Sequence, residues 1–327
     1  ASLIFSGMTG SAVADASGLG TMEIEQMRKN GYGGGFSCAI TASSATIGPI
    51  FPPSIPMILY SMLSGASVGA LFLGGMVPGV LLALALMLYI SVIAKRRNFP
   101  QGEAYTFVEL LQHTAAAIPA LLTPIILLGG IYTGVMTPTE AGAVAALYAI
   151  VISLFYYRSL NLRQLLDIVI DTVKTTGAIS LIAGAAFNVV YIVSREQIPQ
   201  MVSSLILGFT TNPIVFLLMV NVIFLILGMV IPVLPLILVF VPIVLPIVTE
   251  LGIDLTHFGV VIVLNIMIAL STPPYGTLLF ITSGISDVPI GRIIREIVPM
   301  ILVSIVVLLM VTYIPDLVMF LPRLLGQ

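Results

Sequence analysis

Long apolar stretches run through this chain with hardly a charged residue inside them. Of its 327 residues, 59% are hydrophobic and only 8% are charged, which is about a third of the charged share in a soluble globular domain. Such a chain cannot build a water-facing surface, so the composition excludes a soluble enzyme and a nucleic-acid-binding protein. We predict an all-α integral membrane protein that has the lipid bilayer as a partner and binds no nucleic acid.

The apolar stretches are of two kinds. Five have the length of about 20 residues that a transmembrane helix needs, and they cover residues 71–94, 118–135, 141–157, 177–193 and 298–321. Four others are interrupted by Gly, Pro, Ser and Thr, and they cover residues 4–22, 39–62, 214–248 and 258–281. We predict that 4–22 and 214–248 are re-entrant helical hairpins and that the other two are broken transmembrane helices.

The distribution of Lys and Arg supports this topology. With both hairpins re-entrant, ten of the 12 Lys and Arg residues fall on one side of the membrane, and only Arg195 and Arg323 fall on the other. Cytoplasmic loops are rich in these residues, so Arg195 and Arg323 are predicted to face outward. Residues 162–170 and, with a weaker pattern, 103–113 are predicted to form helices along the membrane surface, because their apolar side chains recur on one helical face.

The chain also contains an internal repeat. Gly and Pro residues recur at an offset of 221 without gaps, and the pairs are Gly7 with Gly228, Gly31 with Gly252, Pro52-Pro53 with Pro273-Pro274, and Pro78 with Pro299. The charge count gives the two copies opposite orientations, and an inverted repeat is typical of secondary transporters. We therefore predict a carrier, with a channel as the less favoured alternative.

The predicted domains follow from this repeat. Residues 1–66 form the first transport repeat, 67–211 the scaffold and arm helices, 212–288 the second transport repeat and 289–327 a C-terminal scaffold helix. Irregular backbone at membrane depth is tolerated only where it is buried in protein or lines a wet cavity. The two hairpin tips and the two helix breaks are therefore the predicted site.

Small polar residues and glycines concentrate at these four breaks. Hydroxyl and carbonyl oxygens suit a hard cation such as Na⁺, and the predicted cation-binding residues are Ser6, Gly10, Ser11, Thr46, Gly48, Gly228, Thr272 and Gly276. The predicted substrate-binding residues are Thr9, Asp15, Pro53, Ser54, Pro274 and Thr277. Asp15 is included because a carboxylate at membrane depth is a functional-site candidate. The structural alternatives are close packing at the hydroxyls and, for Asp15, helix N-capping or pairing with nearby hydroxyls.

Other polar residues favour structural roles. The sequence Thr137-Pro138-Thr139-Glu140 has the form of a helix capping box, and neither His113 nor His257 has a catalytic neighbour. The chain lacks the His-Glu-x-x-His and paired-aspartate patterns that an intramembrane enzyme would need. We therefore predict no enzyme, no catalytic residue and no metal other than Na⁺.

Four segments together resemble the large membrane subunit of the tripartite ATP-independent periplasmic (TRAP) transporters, within the ion transporter superfamily. They are GSAVADA at 10–16, TIGPIFPPSIP at 46–56, GGIYTG with TPTEA at 129–141, and LSTPPYG at 270–276. The resemblance implies an elevator-type, sodium-coupled importer of a small acidic solute in the bacterial inner membrane. It also implies a periplasmic substrate-binding protein and a small membrane (Q) subunit as partners. Within the family the chain is most similar to sialic acid importers of fused type, with C4-dicarboxylate importers as the alternative.

Two features depart from the family pattern. Ile231 stands where the family often carries an acidic residue before the proline of the second hairpin tip, and the helices expected before the first hairpin are absent. We expect another chain or an upstream portion to supply those helices. Arg195, in an outward loop, is the predicted docking residue for the soluble partner, because charge complementarity guides such encounters. An interfacial membrane anchor is the alternative role for this arginine.

Overall fold

The computed structural model describes residues 2–97, 99 and 107–326, and this part of the chain contains helices and no strand. Side chains are described for these residues except 4, 6–8, 107–113, 115 and 116. The all-α prediction is confirmed for the described residues. The helices are α1 (Ser2–Thr9), α2 (Ala12–Ser17), α3 (Leu19–Lys29), α4 (Gly34–Ala45), α5 (Ile55–Ser64), α6 (Val68–Arg97), α7 (Phe107–Tyr132), α8 (Pro138–Val151), α9 (Leu162–Arg195), α10 (Ile198–Phe209), α11 (Pro213–Gly228), α12 (Val233–Pro235), α13 (Val241–Glu250), α14 (Leu255–Leu270), α15 (Thr277–Ser286), α16 (Ile290–Tyr313) and α17 (Asp316–Leu324). Two π-helical segments, Ile152–Tyr156 and Leu236–Phe240, follow α8 and α12.

Five helical runs in the described part are long and apolar enough to cross a membrane. They are α6, Pro138–Tyr156, α9, Val233–Glu250 and α16, as expected of a multi-pass membrane protein. The predicted spans 71–94 and 177–193 lie inside α6 and α9, and 118–135 lies mostly inside α7. The run Val233–Glu250 belongs to the second predicted hairpin and is long enough to cross by itself, so the re-entrant course of that hairpin stays a prediction.

The predicted C-terminal span is wrong. Residues 298–321 are not one helix, because α16 ends at Tyr313 and α17 begins at Asp316. A proline disfavours helical backbone at the residue before it, and Ile314, which precedes Pro315, has φ −121° and ψ 80°.

The surface helix predicted at 162–170 is not a separate element either. It is the first part of α9, which runs unbroken through 34 residues without a proline to interrupt it. The surface helix predicted at 103–113 is tested only in part, because residues 103–106 lie outside the described residues. Its remainder continues directly into α7.

The chain divides into two compact units, Ala1–Pro100 with Ala186–Gln327, and Gln101–Ala185. In the smaller unit α7 packs against α8, and the Tyr148 hydroxyl donates to the Pro119 carbonyl at 2.9 Å. The predicted capping box begins α8. Glu140 N donates to Thr137 Oγ1 at 3.3 Å, and Thr137 N donates to the Glu140 carboxylate at 2.8 Å. The structural role predicted for Glu140 is confirmed.

The larger unit is built around α4 and α14, the first halves of the two broken helices. Every residue of α14 from His257 to Leu270 is buried, and this helix packs against α5, α6, α11 and α16. Glycines allow the close approach of these neighbours. A Cβ on Gly259 of α14 would lie 2.6 Å from Tyr60 Cδ1 on α5 and 2.8 Å from Leu71 Cδ2 on α6. The helix breaks therefore lie at the ends of the most deeply buried helices.

Structural elements recur at the offset of the sequence repeat. Gly34 and Leu255 begin α4 and α14, and the glycines before them, Gly31 and Gly252, both have left-handed backbone with φ of 86° and 67°. The peptide bonds Pro52–Pro53 and Pro273–Pro274 are both cis. The two copies thus share helix starts and backbone conformations, while their opposite orientation in the membrane remains a prediction.

Candidate functional site

The first hairpin tip lies directly against the first helix break. Gly10, between α1 and α2, is buried with φ +58°, and a Cβ at this position would lie 2.7 Å from the Pro53 carbonyl oxygen. The Ile55 amide, at the start of α5, donates to the Gly10 carbonyl at 3.5 Å. The contact therefore requires glycine on two grounds, because an L side chain disfavours this φ and no space exists for a Cβ.

Helix α6 covers the other side of the same break. Gly75 faces the Ile50 carbonyl, and a Cβ on Gly79 would lie 3.2 Å from Phe51 Cβ. Small residues at this spacing let a helix approach irregular backbone closely. The segment from Thr46 to Ser54 is therefore enclosed by protein, as the rule for non-helical backbone at membrane depth requires.

The second hairpin has a corresponding contact with the second broken helix. A Cβ on Gly228, at the end of α11, would lie 2.7 Å from Ala269 Cβ on α14, and Ala269 comes two residues before the break begins at Ser271. Inside that break, a Cβ on Gly276 would lie 2.9 Å from the Thr272 carbonyl oxygen and 3.0 Å from that of Leu270. The structure thus brings each predicted hairpin together with the broken helix of its own copy.

The two copies also pack crosswise. Helix α2 of the first copy packs against α15 of the second, and the π-helical segment Leu236–Phe240 of the second packs against α5 of the first. The fully buried Tyr60, on α5, donates its hydroxyl proton to the Leu255 carbonyl at 2.7 Å. Sequence reasoning missed Tyr60, because a single tyrosine in an apolar helix carries no distinguishing pattern.

The predicted hydroxyl ligands already make hydrogen bonds to nearby backbone. Thr46 Oγ1 donates to the Ser43 carbonyl and Thr272 Oγ1 donates to the Ile268 carbonyl, both at 2.7 Å. A hydroxyl that donates its only proton in this way still has lone pairs for a cation. The arrangement is therefore compatible with both roles considered for these residues, ligation and local structure.

Two other predicted residues act as helix N-caps. Ser11 Oγ accepts from Ala14 N at 3.4 Å at the start of α2. Ser54 Oγ accepts from Met57 N at 3.2 Å at the start of α5 and donates to the Pro49 carbonyl. Each of these bonds satisfies a backbone group that the break would otherwise leave unpaired.

The remaining candidates differ in their exposure. Gly48 is buried within the first break, where its amide donates to the Ala45 carbonyl at 3.3 Å. Pro53 is partly exposed, and Pro274 and Thr277 are exposed beside the second break. The side chain of Ser6 lies outside the described residues.

Asp15 is almost completely enclosed, with 1% of its surface exposed. Both structural alternatives for this residue are wrong, because Ser11 occupies the N-cap of α2 and neither carboxylate oxygen of Asp15 has a hydrogen-bond partner. In the described part of the chain, seven buried side-chain oxygens lack a hydrogen-bond partner. Five of them belong to four residues on helices α1, α2 and α4, which pack against one another. These residues are Thr9, Asp15, Thr41 and Ser43. An unpaired carboxylate at this depth is costly unless a cation or a proton compensates it. Oxygen donors of this kind fit a small hard cation.

Sequence reasoning missed Thr41 and Ser43, since nothing in their spacing separates them from other small residues of α4. The described residues contain no cluster of three or more His, Cys, Asp or Glu side chains that could hold a metal ion. His257 is buried with Nε2 3.0 Å from the Val311 carbonyl, which confirms its structural role. His113 lies outside the described side chains.

The two predicted outward cations have different surroundings. Arg323 Nη1 lies 2.8 Å from Asp316 Oδ1 in an ion pair. Arg195 is exposed at the end of α9 and takes part in none of the ion pairs found among the described residues.

Comparison with known proteins gives a consistent result. Residues 1–317 match the family described as "Tripartite ATP-independent periplasmic transporter, DctM component". The chain is 41% identical to the sialic acid TRAP transporter large permease protein SiaM of Vibrio cholerae, over 99% of this chain and 76% of SiaM. It is 38% identical to the sialic acid TRAP transporter permease protein SiaT of Haemophilus influenzae, over 99% of this chain and 53% of SiaT.

A relative that is named for a different solute is about as similar. The C4-dicarboxylate TRAP transporter large permease protein DctM of Pseudomonas aeruginosa is 38% identical over the whole of this chain and 77% of its own length. These names describe transporter permeases and not enzymes. The matches extend over nearly the full chain, and from them we conclude that it belongs to the DctM family of TRAP transporter large permeases.

Proposed function

We propose that this chain is the carrier part of a sodium-coupled importer that takes a small acidic solute, sialic acid, from a periplasmic binding protein into the cytoplasm. It works in the bacterial inner membrane together with a small membrane subunit. The observation that carries the proposal is the pair of glycine contacts, Gly10 with Pro53 and Gly228 with Ala269, which join each hairpin to its own broken helix. Two such junctions in one chain supply two sets of carbonyls on irregular backbone, and alternating access by an elevator-type movement would expose them to each side in turn.

In this proposal the ions and the solute use different chemistry. The carbonyls and hydroxyls at the breaks hold Na⁺, and the N-terminal ends of α5 and α15 present their partial positive charge to the solute carboxylate. The start of α15 has no side-chain cap, so its amides can bind the anion. Thr9, Pro53, Ser54, Pro274 and Thr277 are the proposed solute contacts. We assign Asp15 to the cation, because its carboxylate would repel an acidic solute.

Sodium, and not the proton, is proposed to drive uptake. A proton-coupled carrier needs titratable groups at membrane depth, and in the second copy residues 227–248 and 258–281 contain no Asp, Glu, His, Lys or Arg. The first copy retains Asp15, so a mixed mechanism is the alternative there. In proteoliposomes that hold the permease with its small subunit and binding protein, we expect a Na⁺ gradient alone to drive accumulation. The dependence on Na⁺ is expected to have a Hill slope above one, from two cation sites.

The control for this experiment imposes the two gradients separately. Accumulation driven by a pH gradient in sodium-free buffer would contradict the proposal.

The solute alternative is tested in the same vesicles. Unlabelled C4-dicarboxylate that competes with sialic acid at equal concentration would favour the dicarboxylate importer.

The binding protein is proposed to dock at Arg195. Charge complementarity acts mainly on the rate of encounter, so Arg195→Glu is expected to slow uptake from the loaded binding protein about fivefold at low salt and less at high salt. Arg323→Glu is the matched control, since that arginine is already paired with Asp316. Uptake that is equally sensitive to both substitutions, or to neither, would remove the docking role of Arg195.

A further inference from the structure

A buried network of amides connects the second hairpin to the second broken helix. Asn265 on α14 is completely buried, and Asn221 on α11 is 4% exposed. Asn265 Nδ2 donates to the Asn221 carbonyl at 2.8 Å and to Asn221 Oδ1 at 2.9 Å. Asn221 Nδ2 in turn donates to Thr312 Oγ1 on α16 at 2.9 Å. Three helices are thus joined by side-chain hydrogen bonds inside an otherwise apolar core.

The Asn265 side chain makes hydrogen bonds only across the contact between α14 and α11. Its Oδ1 accepts no hydrogen bond, so both of its hydrogen bonds go to Asn221. Placing amides in an apolar interior is costly unless they are paired, and apolar residues would fill the same space without that cost. Buried polar pairs of this kind are best known for fixing the register between two helices.

The amide pair lies on the helical faces that lead to the second break. Asn221 and Gly228 are seven residues apart on α11, and Asn265 and Ala269 are four residues apart on α14, so each pair shares a helical face. Gly228 packs against Ala269, and the break begins two residues later. A slip at the amide pair would move Gly228 relative to Thr272 and Gly276, the proposed cation ligands.

The first copy has a related contact at the equivalent position. Ser44 on α4 precedes Asn265 by the repeat offset of 221, and Ser2 Oγ on α1 donates to Ser44 Oγ at 2.9 Å. In both copies, a polar pair at this position joins the first arm of the hairpin to the broken helix. The first copy uses one hydroxyl bond where the second uses two amide bonds and a link to α16.

We propose that Asn265 and Asn221 are positioning residues that set the cation affinity of the second break, although neither touches the ion. This inference rests on the proposed sodium-coupled function. With Asn265→Ala, the Na⁺ concentration for half-maximal uptake is expected to rise about fivefold, the scale of one or two lost buried hydrogen bonds. The maximal rate is expected to change less than twofold, since the ligands themselves remain. In Asn221→Ala/Asn265→Ala the second substitution should add little, because Asn265→Ala alone already removes both bonds between the two residues, and only the bond from Asn221 to Thr312 is lost in addition.

The matched control is Ser304→Ala. Ser304 is also buried, at 5% exposure, but its hydroxyl donates within its own helix, to the Met300 carbonyl at 2.9 Å. Asn265→Ser, which copies the first repeat, keeps a hydrogen-bonding side chain and should recover part of the Na⁺ affinity. It also serves as the second variant if Asn265→Ala fails to fold.

A second readout does not depend on transport. Val230, two residues after Gly228, is 64% exposed, and a cysteine at this position in a Cys38→Ala background can be labelled with a maleimide in sodium-free buffer. Asn265→Ala is expected to change the labelling rate severalfold, and Ser304→Ala is not. Unchanged labelling and unchanged half-saturation would overturn the positioning role. If wild-type uptake shows no dependence on Na⁺, the proposed function fails, and the labelling result still decides the role of the amide pair.

Discussion

Replacing Gly10 with alanine is expected to reduce uptake at least about tenfold, because the substitution adds both backbone strain and a steric clash at one position. The φ of +58° is unfavourable for an L residue, and the added Cβ would lie 2.7 Å from the Pro53 carbonyl oxygen. That oxygen belongs to the backbone of the first break and cannot rotate away as a flexible side chain can. The clash would therefore separate the hairpin tip from the break and displace the carbonyls proposed to hold Na⁺.

Gly65→Ala is the matched control for Gly10→Ala. Gly65 also has left-handed backbone, with φ +75°, but no atom lies within 4 Å of the position of an added Cβ. Both variants should therefore carry a similar conformational cost of about 1 kcal/mol, and only Gly10→Ala should carry the clash. Uptake rates and thermal unfolding temperatures of the two variants check this difference. An equal loss of uptake in both would mean that strain, and not contact with the break, explains the effect.

Replacing Asp15 with asparagine is expected to reduce sodium-driven uptake at least about tenfold while leaving the protein as stable as the wild type in sodium-free buffer. The carboxylate is 1% exposed and neither of its oxygens has a hydrogen-bond partner. Without a cation, removing an unpaired buried charge does not destabilise a protein and often stabilises it. The stabilisation that Na⁺ confers by binding to the native state should be reduced in the variant.

Thermal unfolding with and without Na⁺ measures directly how much Na⁺ stabilises each variant. Glu25→Gln is the matched control, because Glu25 is an exposed acidic residue on the adjacent helix α3 and is paired with Lys29 at 2.7 Å. It should keep both uptake and stabilisation by Na⁺. If Na⁺ stabilises Asp15→Asn as strongly as the wild type, the Asp15 carboxylate does not balance the charge of the bound Na⁺. The assignment of Asp15 to the cation is then wrong.

Backbone signals in the sequence located the breaks well. The Gly and Pro residues near 10, 48–53, 228–232 and 273–276 predicted interruptions, and the helices end and begin around them. The capping box at Glu140 was equally readable, because capping depends on residues only three positions apart. These features are local, so the residue types at a few neighbouring positions are enough to predict them.

Features that depend on partners distant in sequence were not readable in this way. Tyr60 and Leu255 are hydrogen-bonded across 195 residues, and Asn221 and Thr312 across 91. Thr41 and Ser43 look like ordinary small residues of an apolar helix until the fold encloses their hydroxyls beside α1 and α2. The length of α9 was also misjudged, because amphipathic and fully apolar segments can belong to one continuous helix when no breaker lies between them.

The sequence by itself determined the membrane class, the helical character, the position of each break and the offset between the two copies, because these depend on composition and on the backbone preferences of Gly and Pro. Only the tertiary structure decided which breaks meet. It placed Gly10 against Pro53 and Gly228 against Ala269, buried Asp15 without a partner and paired the amides of α11 and α14. The physical reason is that contact, burial and hydrogen bonding depend on the packing of helices that are far apart in the chain, and apolar helices of similar composition leave that packing undetermined.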